Sequence, residues 1–192
     1  MTTTSFIKPF PFYLPSVDRF LIRNYHFVIP YYLTTGCKTH FTILVGLLTF
    51  DKKRMNNEEK LALLNASTND YLLKTLEISF TELGDDYLVA KMPVNERVYQ
   101  PDRVLHGGAT FALAETVGSV ASYIFSKTDD QIVRGIEMSG NHLRSVSSGY
   151  VFARAESIHK GRTTQIWQIR ITDEEDKMVS LIKLTTITLP KK

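Results

Sequence analysis

The sequence predicts an α+β domain in which an antiparallel sheet wraps around one long central helix. The helix is indicated by residues 108–125, an apolar run that is rich in Ala and Gly and contains no proline. Its apolar residues fall on nearly every side, which is typical of a helix buried all round. The sheet is indicated by four later segments rich in β-branched residues, at 132–138, 150–158, 164–172 and 178–189.

Shorter elements precede the long helix. Residues 58–65 predict a short amphipathic helix. Two strand-like segments follow at 76–80 and 87–92, and the turn residues Gly-Asp-Asp lie between them at 84–86. A second turn, the acidic run at 173–176, joins the last two strands as a hairpin.

A change in composition separates residues 1–54 from the domain that we predict at 55–192. The first 54 residues hold 11 aromatic side chains and seven basic against two acidic ones, and they contain no Ala, Glu or Gln. Such a segment is poor helix material, and it lacks the alternation of a sheet layer. Three interpretations remain: an atypical extension translated ahead of a natural start at Met55, which we favour; a hydrophobic docking arm; and an organellar transit peptide.

The overall composition excludes several classes of protein. A net charge of +3 gives no general footprint for nucleic-acid binding. The single cysteine, Cys37, excludes an intrachain disulfide, and the five histidines lack metal-ligand spacing, so we expect neither a metal nor a cofactor. The longest apolar stretch, 41–50, is shorter than the roughly 20 residues that span a bilayer. We therefore expect a cytoplasmic protein that binds neither membrane nor nucleic acid.

Residues with catalytic potential cluster at the long helix. Gly107 and Gly108 at its start allow a ligand to approach the backbone, and N–H groups at the positive end of a helix dipole suit an oxyanion forming on a carbonyl. Two turns later lies Glu115, which we expect to be buried among apolar neighbours. A buried carboxylate needs compensation, either from a salt bridge to Arg134 or Arg144 or from a role as general base or nucleophile. The nearby glycine pair favours the catalytic role.

These motifs resemble those of hotdog-fold acyl-CoA thioesterases. The likeness begins with Leu-His-Gly-Gly at 105–108 and with Glu115, nine residues after the histidine. It continues through Asn-His-Leu-Arg-Ser at 141–145, Ile-His-Lys-Gly-Arg at 158–162 and Gln-Ile-Trp-Gln-Ile at 165–169. The pattern is most similar to 1,4-dihydroxy-2-naphthoyl-CoA hydrolases of menaquinone synthesis and to the related proofreading thioesterases that act on aryl-CoA.

The resemblance implies a role for each matching residue. Glu115 would be the nucleophile or general base, and the Gly107 N–H would polarise the thioester carbonyl. Gln100 would orient the thioester or the water, His106 would support the loop, and Ser119 would help to hold the water. Coenzyme A would contact a further set of residues, namely Gly135, His142, Leu143, Arg144, Ser145, His159, Lys160, Gly161, Arg162, Thr163 and Thr164.

The resemblance also implies the reaction, which is hydrolysis of an aromatic acyl-CoA such as 1,4-dihydroxy-2-naphthoyl-CoA to the free acid and coenzyme A. One alternative is a broad-range acyl-CoA hydrolase, and another is a non-catalytic acyl-CoA-binding regulator on the same fold. Glu115 argues against the regulator, because a sensor needs no carboxylate beside the carbonyl. The implied assembly is a homo-oligomer, either a dimer or a tetramer built as a dimer of dimers.

Helix geometry adds an expectation that does not depend on the resemblance. Gly107 and Glu115 are eight residues apart, which corresponds to about 12 Å if the helix starts at the glycines. A base or its water must come within about 3–3.5 Å of the carbonyl carbon. One chain therefore cannot supply both groups to one carbonyl, and we expect an active site shared by two subunits around a two-fold axis.

A chain that begins at Met55 tests the favoured interpretation of residues 1–54. We expect its Tm and its rate of thioester hydrolysis to equal those of the full chain, because the predicted core lies after that residue. Thermal unfolding and thiol release, measured side by side, provide the comparison. A clear loss of either quantity would favour the docking arm.

Overall fold

The computed structural model describes residues 55–68, 71–126 and 131–191. The segment 1–54, and with it the three interpretations of that segment, lies outside the described residues. The described chain contains three α-helices, a 3-10 turn at Glu96–Val98 and six strands. None of these helices is long and apolar enough to cross a membrane.

The first helix, α1 (Asn57–Ser67), confirms the helix predicted at 58–65. It begins at a capping box. The Asn56 side chain accepts a hydrogen bond from the Glu59 N–H at 2.9 Å, and the Glu59 carboxylate accepts one from the Asn56 N–H at 3.0 Å. These two bonds satisfy backbone donors that a helix start otherwise leaves unpaired. The second helix, α2 (Tyr71–Thr75), has only five residues and was not predicted.

The predicted antiparallel sheet is confirmed. Its spatial order is β1-β2-β4-β5-β6-β3, and all neighbouring strands are antiparallel. The first strand begins three residues later than predicted, and the predicted turns at 84–86 and 173–176 join β1 to β2 and β5 to β6. The strands are β1 (Ser79–Leu83), β2 (Tyr87–Pro93), β3 (Gln131–His142), β4 (Tyr150–Lys160), β5 (Thr164–Thr172) and β6 (Met178–Pro190).

The long helix, α3 (Gly107–Ile124), packs across this sheet and forms the core with it. A side chain at Gly118 would meet Leu184 at 2.6 Å and Ile169 at 3.4 Å, so this glycine lets the helix approach the sheet closely. The expectation that α3 is buried all round is wrong. Its buried residues recur every three to four positions and so form one face, and they are Thr110, Leu113, Ala114, Val117, Gly118, Ala121 and Ser122.

The two edges of the sheet differ. The β1 edge is covered by α1, because the Asn65 side chain both accepts from the Phe80 N–H and donates to the Phe80 carbonyl, each at 2.8 Å. The Asn57 side chain also donates to the Leu83 carbonyl at 2.8 Å. The other edge, β3, pairs only with β6 among the described strands, and most of its 12 residues are exposed. A long strand with a free edge can pair with another chain.

Substituting Asn65 by Ala tests the cover on β1. We expect a loss of about 1–3 kcal/mol in the free energy of unfolding, because both backbone groups of Phe80 lose their partner at a half-buried position. Chemical denaturation measures the loss. Glu82→Ala, at an exposed position of the same strand, provides the matched control and should change the free energy by less than about 0.5 kcal/mol. Equal effects of the two substitutions would contradict the edge role of Asn65.

Candidate active site

The start of α3 presents a free backbone donor. His106 caps the helix, with its Nδ1 accepting from the Gly108 N–H at 2.8 Å and its carbonyl accepting from the Ala109 and Thr110 N–H groups. The Gly107 N–H has no acceptor among the described residues. A free N–H at the positive end of a helix can stabilise developing negative charge on a carbonyl oxygen.

A pocket of about 360 Å³ lies at this helix start. It brings together six sequence-predicted site residues from distant positions: Gln100 before α3, Gly107 at its start, and all four residues of 142–145 at the end of β3. The pocket is lined by Gln100, Val104, Leu105, Gly107, Thr110, His142, Leu143, Arg144, Ser145, Val179 and Ser180. His106 contributes its helix cap and is itself exposed.

A tight turn holds Gln100 at the pocket. The Gln100 N–H donates to the Val104 carbonyl and the Arg103 N–H donates to the Gln100 carbonyl, each at 2.9 Å. Arg103 closes the turn with φ of 60°, the left-handed region that non-glycine residues seldom adopt. Because both backbone groups of Gln100 are bonded within the turn, its position relative to the pocket is fixed.

His142 packs against the first turn of the helix. Its Nε2 lies 2.7 Å from the point that a Cβ on Gly107 would occupy, so only glycine leaves room for the ring. Its Nδ1 lies 2.9 Å from the Ser180 hydroxyl oxygen, and its ring meets Phe111 edge-on with centroids 5.5 Å apart. Three contacts therefore fix the imidazole beside the free Gly107 N–H.

Glu115 lies elsewhere, on the exposed face of α3. The prediction that it is buried is wrong, because within one chain the sheet covers only the opposite face of the helix. The salt bridge to Arg134 or Arg144 does not form among the described residues. The Glu115 carboxylate instead lies over Gly135, whose missing side chain would have met Oε1 at 3.2 Å. Ser119 follows one helical turn later and is half-buried.

The remaining predicted residues, 159–164, comprise the last two residues of β4, the three residues that link it to β5, and the first residue of β5. We call this segment the β4–β5 connection. The Gly161 N–H donates to the Thr164 carbonyl at 2.9 Å, and the Thr188 N–H donates to the Thr163 carbonyl at 2.8 Å. The Lys160 ammonium lies over the ring of Phe125, 4.7 Å from its centroid, at the end of α3. This contact fixes the stem of the connection and leaves Arg162 exposed at its tip.

The predicted site residues thus fall into two groups in one chain, at opposite ends of β6. The first is the pocket group, since His142 pairs with Ser180 at the start of that strand. The second contains Glu115, Gly135 and the 159–164 connection, because Gly135 pairs with Thr186 and Thr164 pairs with Ile187. Six residues of strand separate Ser180 from Thr186, which is about 20 Å.

One residue of the site was not predicted from the sequence. Ser180 was not singled out, although it lines the pocket and bonds to His142. Only the register of β3 against β6 places the two residues side by side, and that register is not evident from either segment alone.

Among the described residues, no group of three or more His, Cys, Asp or Glu side chains is arranged to hold a metal ion.

An antiparallel sheet wrapped around one long central helix is the architecture of the hotdog class of thioester hydrolases. Comparison with known proteins agrees, because the model of the thioesterase superfamily matches residues 103–180. The proofreading thioesterase EntH of Cronobacter turicensis is 44% identical over 126 residues, which cover 66% of this chain and 91% of that protein.

Two further proteins extend the comparison. The 1,4-dihydroxy-2-naphthoyl-CoA hydrolase of Escherichia coli is 41% identical over 126 residues, 66% of this chain and 92% of that protein. Two solved structures of a thioesterase from Staphylococcus aureus match with a TM-score of 0.61 at 37% and 38% identity, and cover 63% of this chain and all of that one. In one of them alanine replaces a glutamate, and in the other a glutamine fifteen positions earlier. The chain belongs to the thioesterase superfamily and is a thioester hydrolase.

Proposed function

We propose that the protein hydrolyses acyl-CoA thioesters to the free acid and coenzyme A, with the Gly107 N–H as the oxyanion donor and Glu115 as the catalytic carboxylate. The observation that carries the proposal is the Gly107 N–H, which has no acceptor in the described part of the chain and belongs to a helix start that lines a pocket together with Gln100. The spacing of Gln100 and Glu115, fifteen residues, equals that of the glutamine and glutamate replaced in the Staphylococcus aureus thioesterase.

In the general-base route, Glu115 takes a proton from a water held with the help of Ser119 and Gln100. The resulting hydroxide adds to the carbonyl carbon, and the negative charge on the carbonyl oxygen is stabilised by the Gly107 N–H. The C–S bond then breaks, and the coenzyme A thiolate takes the proton from Glu115. His106 supports this step by holding the first turn of the helix.

In the nucleophilic route, the Glu115 carboxylate adds to the carbonyl carbon itself. Coenzyme A leaves, and water hydrolyses the resulting anhydride to the acid and free Glu115. Both routes require the carboxylate and the oxyanion donor at the same carbonyl.

We place coenzyme A along two segments, the end of β3 (His142, Leu143, Arg144 and Ser145) and the β4–β5 connection (His159, Lys160, Gly161, Arg162, Thr163 and Thr164), with Gly135 beside them. Three of these residues are cations, which suit the phosphates of the nucleotide. Arg144 lines the pocket and Arg162 is exposed at the tip of the connection, so both guanidinium groups are open to a ligand.

The active site, we propose, is shared between two copies of the chain. The helix puts Gly107 and Glu115 about 12 Å apart, and the two groups of site residues lie about 20 Å apart along β6. The free edge of β3 carries Gly135 and His142, and a second copy pairing there would bring one group from each chain together. It would also cover the exposed Glu115. A dimer, or a tetramer built as a dimer of dimers, satisfies this requirement.

For the acyl group we propose an aromatic acid such as 1,4-dihydroxy-2-naphthoate, on the strength of the named substrate of the Escherichia coli relative. A broad-range acyl-CoA hydrolase is the second candidate.

We further propose that residues 55–192 form the hotdog domain and that 1–54 are an atypical extension to it. We also propose that the enzyme works in the cytoplasm without a metal or a cofactor.

Glu115→Ala tests the catalytic assignment. In a thiol-release assay over aryl- and alkyl-CoA esters, we expect the variant to retain less than about a tenth of wild-type turnover, a change of about 1.4 kcal/mol or more in the barrier. The fold should persist, because the side chain is exposed and unpaired among the described residues. Glu82→Ala, at an exposed position on β1, is the matched control and should retain full activity.

A single-turnover reaction in heavy-oxygen water distinguishes the two routes. The label enters the carboxylate of Glu115 only in the nucleophilic route.

Mixing two inactive proteins tests the shared site. One carries Glu115→Ala, and the other carries Gln100→Ala with Gly107→Pro, which removes the N–H donor at the first helical position and also displaces the His142 ring of the same half-site. After subunit exchange, each mixed dimer has one site with all defects and one with none. We expect activity to approach about a quarter of wild type for random exchange between independent sites. Verified mixed dimers that stay inactive would contradict the shared site.

A further inference from the structure

Ser180 and His142 form a pair at the back of the pocket. They are direct partners in the register of β6 against β3, and both line the pocket. The Ser180 side chain is fully buried, and its oxygen lies 2.9 Å from Nδ1 of His142. Neither the oxyanion donor nor the carboxylate described above accounts for this buried hydroxyl.

The direction of the hydrogen bond follows from what Ser180 can reach. A hydroxyl has one hydrogen, and a buried donor without an acceptor costs stability. Among the described residues, Nδ1 of His142 is the acceptor within reach of that hydrogen. The hydroxyl therefore donates to Nδ1, and the neutral imidazole carries its own proton on Nε2.

The protonated nitrogen is the one that faces the start of α3. Nε2 lies 2.7 Å from the Cβ point of Gly107. That point is about 2.5 Å from the Gly107 nitrogen, so the two nitrogens are at most about 5.2 Å apart. Two donors that each reach an oxygen at about 2.9 Å can stand up to about 5.8 Å apart. This separation allows one carbonyl oxygen to lie within hydrogen-bond distance of both nitrogens.

We infer that the oxyanion site has two donors, the Gly107 N–H and the Nε2–H of His142, and that Ser180 is the positioning residue that keeps the His142 proton on Nε2. The inference rests on the proposed function, since it concerns the carbonyl of the same thioester. It also explains the glycine at 107, where any side chain would displace the second donor.

Ser180→Ala is the central variant, because it removes the hydroxyl at nearly constant volume. We expect kcat to fall about tenfold, with KM and the inhibition constant of free coenzyme A unchanged, because a donor to the transition state is lost and ligand binding is not. Ser122→Ala is the matched control. Ser122 is equally buried and bonded, but lies at the other end of α3, and kcat should stay within about twofold of wild type.

Making Ser180→Ala in the His142→Gln protein distinguishes a positioning role of Ser180 from a purely structural one. In His142→Gln, the side-chain amide offers a donor near the position of Nε2 whether or not Ser180 is present. We therefore expect Ser180→Ala to change kcat less than about twofold in this background. Nitrogen-15 NMR of the imidazoles, with His142→Gln identifying the signal, should show the Nε2–H form in wild type and a mixture of forms in Ser180→Ala.

Several results would overturn the inference. They are an unchanged kcat in Ser180→Ala, an equal loss in the His142→Gln background, a rise in KM or in the coenzyme A inhibition constant with kcat intact, or an Nδ1–H form in the wild-type spectrum. If the wild-type chain released no thiol from any acyl-CoA, the proposed function would fail. The NMR signature would still decide the role of Ser180.

Discussion

The fixed rise of the α-helix is the constraint on which the rest of the molecule depends. Gly107 and Glu115 belong to one rigid element, so nothing in the chain can bring them to one carbonyl. The sheet keeps the two groups apart in the same way. His142, beside Gly107, pairs with Ser180 at the start of β6, and Gly135, beside Glu115, pairs with Thr186 near its end. The two half-sites that we propose rest on this geometry, and in a single chain the Glu115 side chain is exposed.

The packing of α3 on the sheet and the difference between the two sheet edges are both consistent with this constraint. Gly118 lets α3 lie close against Leu184, which fixes where along the sheet the helix start and the carboxylate fall. Asn65 covers one sheet edge with the two hydrogen bonds that a neighbouring strand would otherwise make. The other edge, β3, carries predicted site residues and pairs only with β6 among the described strands. This is the edge at which we propose that a second copy of the chain completes the site.

Local patterns predicted most of the fold and only part of the site. The long helix and the strands were predictable because their periodicity and β-branched content are local properties, and Glu115 and the glycine pair stood out by their chemistry. The burial of Glu115 was mispredicted because alanine and glycine count as apolar on any face, and only packing shows which face the sheet covers. Ser180 was missed because its contact with His142 depends on a register shifted by a bulge between Gly135 and Glu137.

The pairing of β3 with β6 also has a consequence for the order in which the chain folds. The β5–β6 hairpin closes over a turn of a few residues, and β4–β5 over a similarly short connection. The β3–β6 ladder instead joins residues from 38 positions apart, at His142 and Ser180, to 59 apart, at Gln131 and Pro190. Closing so long a loop costs entropy before any contact is gained. We therefore expect the pocket to form late, after the β4–β5 and β5–β6 hairpins on which it is built.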